Sequence, residues 1–170
     1  MENLARKRFL SGVILIVILT IIDRLTKVWA AKTLSQGFDI VIIPRVLELH
    51  YIENTGAAFS ILTGKIIFFL LITVIMCIFI VYVMIKTPAE KKFTPFWFCL
   101  VFLLSGALGN FYDRLFYNYV VDFIYFVLID FPVFNVADIY VTVSMALLVI
   151  LILFYYNDED LSRIFKRSSK

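Results

Sequence analysis

One histidine and two cysteines are all that this 170-residue chain offers of the side chains that most often bind metals or drive nucleophilic catalysis. A zinc site needs three or four such ligands at set spacings, and none of those spacings occurs around His50. That argues against metalloprotease chemistry, and no metal or cofactor is expected. Cys77 and Cys99 both fall inside apolar runs and read as small buried hydrophobes, with no disulfide between them. A serine or cysteine hydrolase wants a base such as histidine; His50 is alone, and no Gly-x-Ser-x-Gly turn is present. Ser60 and Lys65 form a conceivable pair, but nothing marks that serine as special. Charge is scarce too. Only 17% of residues are charged and the net charge is +3, which says nothing of nucleic acid. No internal repeat or low-complexity tract occurs.

What is abundant is apolar surface: 62% of residues are hydrophobic, above the half expected of a soluble domain. The chain therefore reads as an all-α integral membrane protein, one domain over residues 1–170. A span needs about 20 mostly apolar residues, and four candidates emerge at about 9–30, 65–85, 95–112 and 137–156. The basic start Arg6-Lys7-Arg8 mimics a signal peptide, but the following run carries Asp23 and Arg24 and has no small-residue cleavage site, so it reads as a retained first span. Basic residues set the orientation. Arg6, Lys7, Arg8, Lys86, Lys91, Lys92, Arg163, Lys166, Arg167 and Lys170, most of the 16 Lys and Arg residues, fall on one side, assigned to the cytoplasm together with both termini. The segments 31–64 and 113–136 then face outward. Alternation in Val46–Ile52 and the turn-like Asn54-Thr55-Gly56 predict a small extracytoplasmic β-sheet between helices 1 and 2. The aromatic stretch 114–136 is expected to be an interfacial segment between helices 3 and 4.

This topology gathers the polar residues near the outer ends of the spans, and ionisable groups there mark a functional site by default. Asp23 has Lys27 one helical turn on, an arrangement that also suits a plain helix-anchoring ion pair. Asp113 is followed directly by Arg114, which shares a face with Asn110 and could either snorkel or fix the outer loop. Asp122 and Asp138 have no cation beside them in sequence, so each is expected to partner the other, one protonated and one ionised. Asn135, three residues before Asp138, suits an N-cap, and the helix dipole would favour an ionised Asp138. Asp122 is then the easier of the two to keep protonated by desolvation. Two acids in that state are what an aspartic protease uses to activate water. Ser105-Gly106-Ala107-Leu108-Gly109 has small residues four apart, a device for close helix packing. The run Gly56-Ala57-Ala58 would admit an extended peptide close to the backbone. Rival readings are a small transporter or proton channel, which should spread acids across the membrane depth, and a structural subunit, which should tolerate loss of either aspartate.

Five blocks taken together resemble the bacterial lipoprotein signal peptidase (signal peptidase II) family. They are Asp23-x-x-x-Lys27, Asn54-x-Gly56-Ala57-Ala58-Phe59, Gly109-Asn110-x-x-Asp113-Arg114, Val121-Asp122-Phe123 and Phe134-Asn135-Val136-Ala137-Asp138. The resemblance covers essentially the whole chain. It implies a membrane-embedded aspartic endopeptidase that removes the signal peptide of diacylglyceryl-modified prolipoproteins just before the lipidated cysteine. By motif, Asp122 and Asp138 take the places of the catalytic dyad. Asn54, Gly56, Gly106, Asn110, Asp113, Arg114, Asn135 and Ala137 match positions that shape the site or contact substrate, and Asp23 and Lys27 match a supporting polar pair. The implied partners are lipid-modified prolipoproteins, membrane lipids and globomycin-type inhibitors, with the enzyme a monomer in the bacterial cell membrane and its site near the extracytoplasmic surface. Two departures stand out: Ser105 where the family often has a second glycine, and Tyr112 in place of a common aliphatic residue. They touch helix packing, not the dyad.

Overall fold

The computed structural model describes residues 2–56 and 65–165, the side chains of residues 2, 3 and 165 apart. Its first helix, α1, spans Glu2–Leu34 and gives way to a turn in which the Gly37 amide donates to the Leu34 carbonyl at 3.1 Å. A hairpin of β1 (Ile40–Ile43) and β2 (Leu47–Asn54) follows, then α2 (Ile66–Lys86). α2 is an unbroken apolar run that stops at Thr87, held in extended backbone by the following Pro88. A short 3-10 turn leads into α3 (Thr94–Tyr117), with Pro95 in its first turn, where the missing amide hydrogen is no loss. α3 ends at Asn118, whose left-handed φ of 64° returns its amide to the Arg114 carbonyl. Next come β3 (Val120–Phe126), α4 (Val136–Phe154) and α5 (Asp158–Phe165).

Among the described residues, α1, α2, α3 and α4 are long and apolar enough to cross a membrane. The protein is a multi-pass membrane protein. The four expected spans are all present, with α1 and α3 running further at both ends than their apolar stretches suggested. α3 is the hub, packed on α1, α2 and α4 and buried along most of its length. The outer faces of the other three carry exposed Ile, Leu, Val and Phe, which lipid would cover.

The predicted sheet exists, but it has a third strand. β3, from the segment read as purely interfacial, pairs antiparallel with β2 to give the order β1-β2-β3. Its run Val121-Asp122-Phe123-Ile124 alternates poorly because the first four residues, Val120–Phe123, are all buried. Both faces of that half of the strand meet protein: Val121 and Phe123 pack with Ala30 and Leu34 of α1. A strand covered on both sides loses the hydrophobic alternation that reveals strands in sequence. The pairing sets Asp122 opposite Ile52, two residues from Asn54.

Candidate active site

Each expected site residue has a definite place. Asp23, Arg24 and Lys27 project from α1; Gly106, Gly109, Asn110, Asp113 and Arg114 come from α3; Asn54 ends β2; Asp122 lies on β3; Asn135, Ala137 and Asp138 open α4. The stretch Ala57-Ala58-Phe59 and Ser60 lie outside the described residues.

α4 begins with Asn135 as N-cap. Its side-chain oxygen accepts from the Asp138 amide at 3.1 Å, and the Asp138 carboxylate accepts from the Asn135 amide at 3.1 Å. This reciprocal capping box satisfies two of the otherwise free donors at the helix start and fixes Asp138 in place. The Asn135 side-chain amide is left free to donate, and it does so to Asp122 Oδ1 at 2.6 Å. Asp122 Oδ2 accepts from Asn54 Nδ2 at 2.8 Å, and Asp138 Oδ1 accepts from Asn110 Nδ2 at 2.8 Å. All four carboxyl oxygens therefore meet an amide N–H. The expectation that the two aspartates are each other's direct partners is refined accordingly. They stand on one site, but asparagines hold them, with Asn135 bonded to both.

The two acids differ in environment. Asp122 is almost fully buried, whereas Asp138 is half-buried at the edge of the cavity. Burial, and then the neighbouring Asp138 charge, push the Asp122 carboxyl up from 3.8 to about 6 against the opposing pull of hydrogen bonds from Asn54 and Asn135. Both acids, with Asn54, Asn110 and Arg114, line one cavity of about 520 Å³. Apart from Thr142, the remaining wall is apolar and includes Phe126, Ile129, Phe131, Phe134, Ile139 and Val143.

Beneath this cavity lies a charge cluster. Lys27 is fully buried, 2.9 Å from carboxylate oxygens of both Asp23 and Asp113. Asp113 also pairs with Arg24 at 2.9 Å, so it is α1 and not the adjacent Arg114 that answers its charge. Two cations against two anions make the cluster neutral, which burial requires. Lys27 also donates to Asn110 Oδ1 at 2.8 Å, orienting the Asn110 amide so that its NH₂ faces Asp138. Asp23 accepts from the Ala137 amide at 2.8 Å and so ties α1 to the start of α4. Arg114 reaches across to the Gly56 carbonyl at 2.9 Å, and the Gly56 amide donates to Asn54 Oδ1 at 2.9 Å. The turn that presents Asn54 to Asp122 is thus held from two sides.

The two glycines of α3 allow this approach. A Cβ at Gly106 would stand 2.4 Å from the Ala137 carbonyl oxygen, and one at Gly109 would stand 2.5 Å from an Asp23 carboxylate oxygen. Arg24 and the aromatic wall were not singled out from sequence. Arg24 could have been found from its position one residue past Asp23; the wall residues look like any interfacial aromatic belt. Among the described residues no three His, Cys, Asp or Glu side chains gather as a metal site.

The family profile described as Signal peptidase (SPase) II matches residues 15–154 of the chain. The lipoprotein signal peptidase of Clostridium novyi (strain NT) is 44% identical over 144 residues, 83% of this chain and 96% of that protein. That of Clostridium tetani (strain Massachusetts / E88) is 41% identical over 151 residues, 87% of this chain and 96% of that protein. A solved bacterial membrane enzyme superimposes with a TM-score of 0.77 at 35% identity, covering 94% of both chains. Similarity of this extent, in sequence and in fold, leaves one conclusion: the chain belongs to the signal peptidase II family.

Proposed function

We propose that this peptidase removes the signal peptide from diacylglyceryl-modified prolipoproteins by aspartic chemistry, cutting just before the lipidated cysteine. The observation that carries the aspartic reading is the pair of carboxyl groups on one cavity, both oriented by Asn135 and differing in burial. Asp122, buried and raised to about 6, is the proton holder. Asp138, more exposed and at a helix N-terminus, is the base.

A water between them gives a proton to Asp138 as its oxygen attacks the scissile carbonyl. Asp122 donates a hydrogen bond to the developing oxyanion. As the tetrahedral intermediate collapses and the C–N bond breaks, the proton gained by Asp138 passes to the leaving amine. Arg114, Asn54 and Asn110 line the same cavity and orient the extended substrate backbone, and the apolar wall receives the residues and lipid that flank the cut. Asp23, Lys27 and Asp113 support the site through Asn110 and Ala137, while Gly106 supplies close helix approach and Gly56 ties Arg114 to the Asn54 turn. The whole chain acts as one membrane domain and as a monomer, with the cavity at the extracytoplasmic surface of the bacterial cell membrane. Globomycin-type cyclic peptides would compete for this cavity.

The test is release of signal peptide from a diacylglyceryl-modified prolipoprotein by purified protein. Asp122→Asn and Asp138→Asn are each expected to slow cleavage by at least about 100-fold, the scale of a lost general acid or base. Normal cleavage by either folded variant would sink the dyad, and is what a structural subunit would show.

A further inference from the structure

The end of the bundle remote from the carboxylates holds a second cavity that peptide cleavage leaves unused. Arg8, at its rim, lies 19 residues before Lys27 on α1, about 28 Å away at a helical rise of ~1.5 Å per residue. The cavity, about 490 Å³, opens between the start of α1 and the α2–α3 turn. Leu4, Trp97 and Phe98 form its apolar side, and Lys7, Arg8 and Lys91 its basic side. Arg8 donates to the Pro88 carbonyl at 2.7 Å and to the Phe93 carbonyl at 3.4 Å, and its guanidinium stands 4.8 Å from the centre of the Trp97 ring. Its Nε–H is buried with no acceptor, and no carboxylate pairs with it among the described residues. The acid on this rim, Glu90, is already engaged by Arg163 of α5.

Among the described residues, this half-buried guanidinium is held by neutral carbonyls and an aromatic face, which leave its positive charge unanswered. Two lysines beside it add to that charge. The same cavity has Leu4 and Phe98, both exposed, on its lipid-facing side. A ligand that fits must be anionic at one end and hydrocarbon at the other. We propose that this cavity binds the phosphate-bearing headgroup of an anionic phospholipid, with Arg8, Lys7 and Lys91 facing the phosphate and an acyl chain lying along Phe98. Bound there, the lipid bridges α1 to the α2–α3 turn. The assignment is independent of the peptidase mechanism.

Trp97 reports on the cavity directly. The chain has two tryptophans, so Trp29→Phe leaves Trp97 as the only one. The protein is placed in phosphatidylcholine vesicles containing equal small fractions of brominated phosphatidylglycerol or brominated phosphatidylcholine, and quenching of Trp97 is compared. The expected result is quenching by the glycerol lipid as though it were enriched at least about fivefold, the effect of one well-placed cation at a membrane surface. Lys7→Gln/Lys91→Gln, at two exposed positions, should cut that preference, and Arg8→Gln should abolish it. If Arg8→Gln does not fold, the lysine double variant decides alone. Excess inorganic phosphate should leave the preference intact. Equal quenching by the two lipids, a preference unchanged in the lysine double variant, or its loss to inorganic phosphate (a free-anion site) would each overturn the proposal.

Discussion

Asn135 touches both carboxyl groups, but with different atoms: its backbone amide serves Asp138 and its side-chain amide serves Asp122. Substituting it would loosen a helix start and a β-strand acid together. Asp122 is the residue whose chemistry is most displaced. Its carboxyl titrates near 3.8 when unfolded and at about 6 when folded. Between those values the folded state binds the extra proton, so this group's contribution makes stability fall as pH rises from 3.8 to about 6, and it stays lowered above that. Because the Asp138 charge is part of the cause, Asp138→Asn should shift the Asp122 titration downward, followed by the carboxyl infrared band of the substrate-free protein. An unmoved midpoint would mean that the two acids do not sense each other. The oddity of two aspartates without neighbouring cations was legible in sequence, and so was Asn135 as the cap beside Asp138; the bonds from Asn54 and Asn135 to Asp122, and from Asn110 to Asp138, were not. Bonds between an asparagine and an acid 13 to 68 residues apart in the chain are made only by the fold.

At the scale of elements, α3 packs tightly against the start of α4. A methyl at Gly106 would meet backbone, the Ala137 carbonyl oxygen, as well as Val141 Cγ2 at 2.8 Å. Neither helix can yield without moving Asn135 and Asp138, so Gly106→Ala should cost about 1–3 kcal/mol by overpacking and lower cleavage in parallel. Thermal unfolding in detergent beside the cleavage assay checks it; a stable, fully active variant would show that α4 can shift freely. Small residues four apart made this packing readable in advance, and Ser105, despite replacing a glycine, fits by turning its hydroxyl to the Val101 carbonyl at 2.7 Å. Two elements were missed. β3 was hidden by burial on both faces. α5 was hidden by reading the basic tail for orientation alone, although Asn157 and Asp160 repeat the spacing of Asn135 and Asp138 and close the same reciprocal cap at 3.1 and 2.8 Å. That cap, with Ile164 buried in the core and Asp160 paired to Lys92, docks α5 on the α2–α3 turn.

For the molecule as a whole, the four apolar runs were legible because length and hydropathy alone define a span. Which side each end faces rests on the basic residues of the termini and the α2–α3 turn, so a reporter fused after Lys170 should behave as cytoplasmic. An externally accessible reporter would invert the topology and move the carboxylate cavity to the inner face. The buried cluster around Lys27 carries a consequence for biogenesis. Asp23 and Lys27 answer each other within α1, whereas Asp113 enters on α3 and finds its cations, Arg24 and Lys27, only on α1. An isolated acid in hydrocarbon is disfavoured until those partners are reached. The first span to be synthesised can thus settle in the bilayer alone, while the third reaches its final depth only by docking on the first, so the ion cluster writes an order of insertion into the finished bundle.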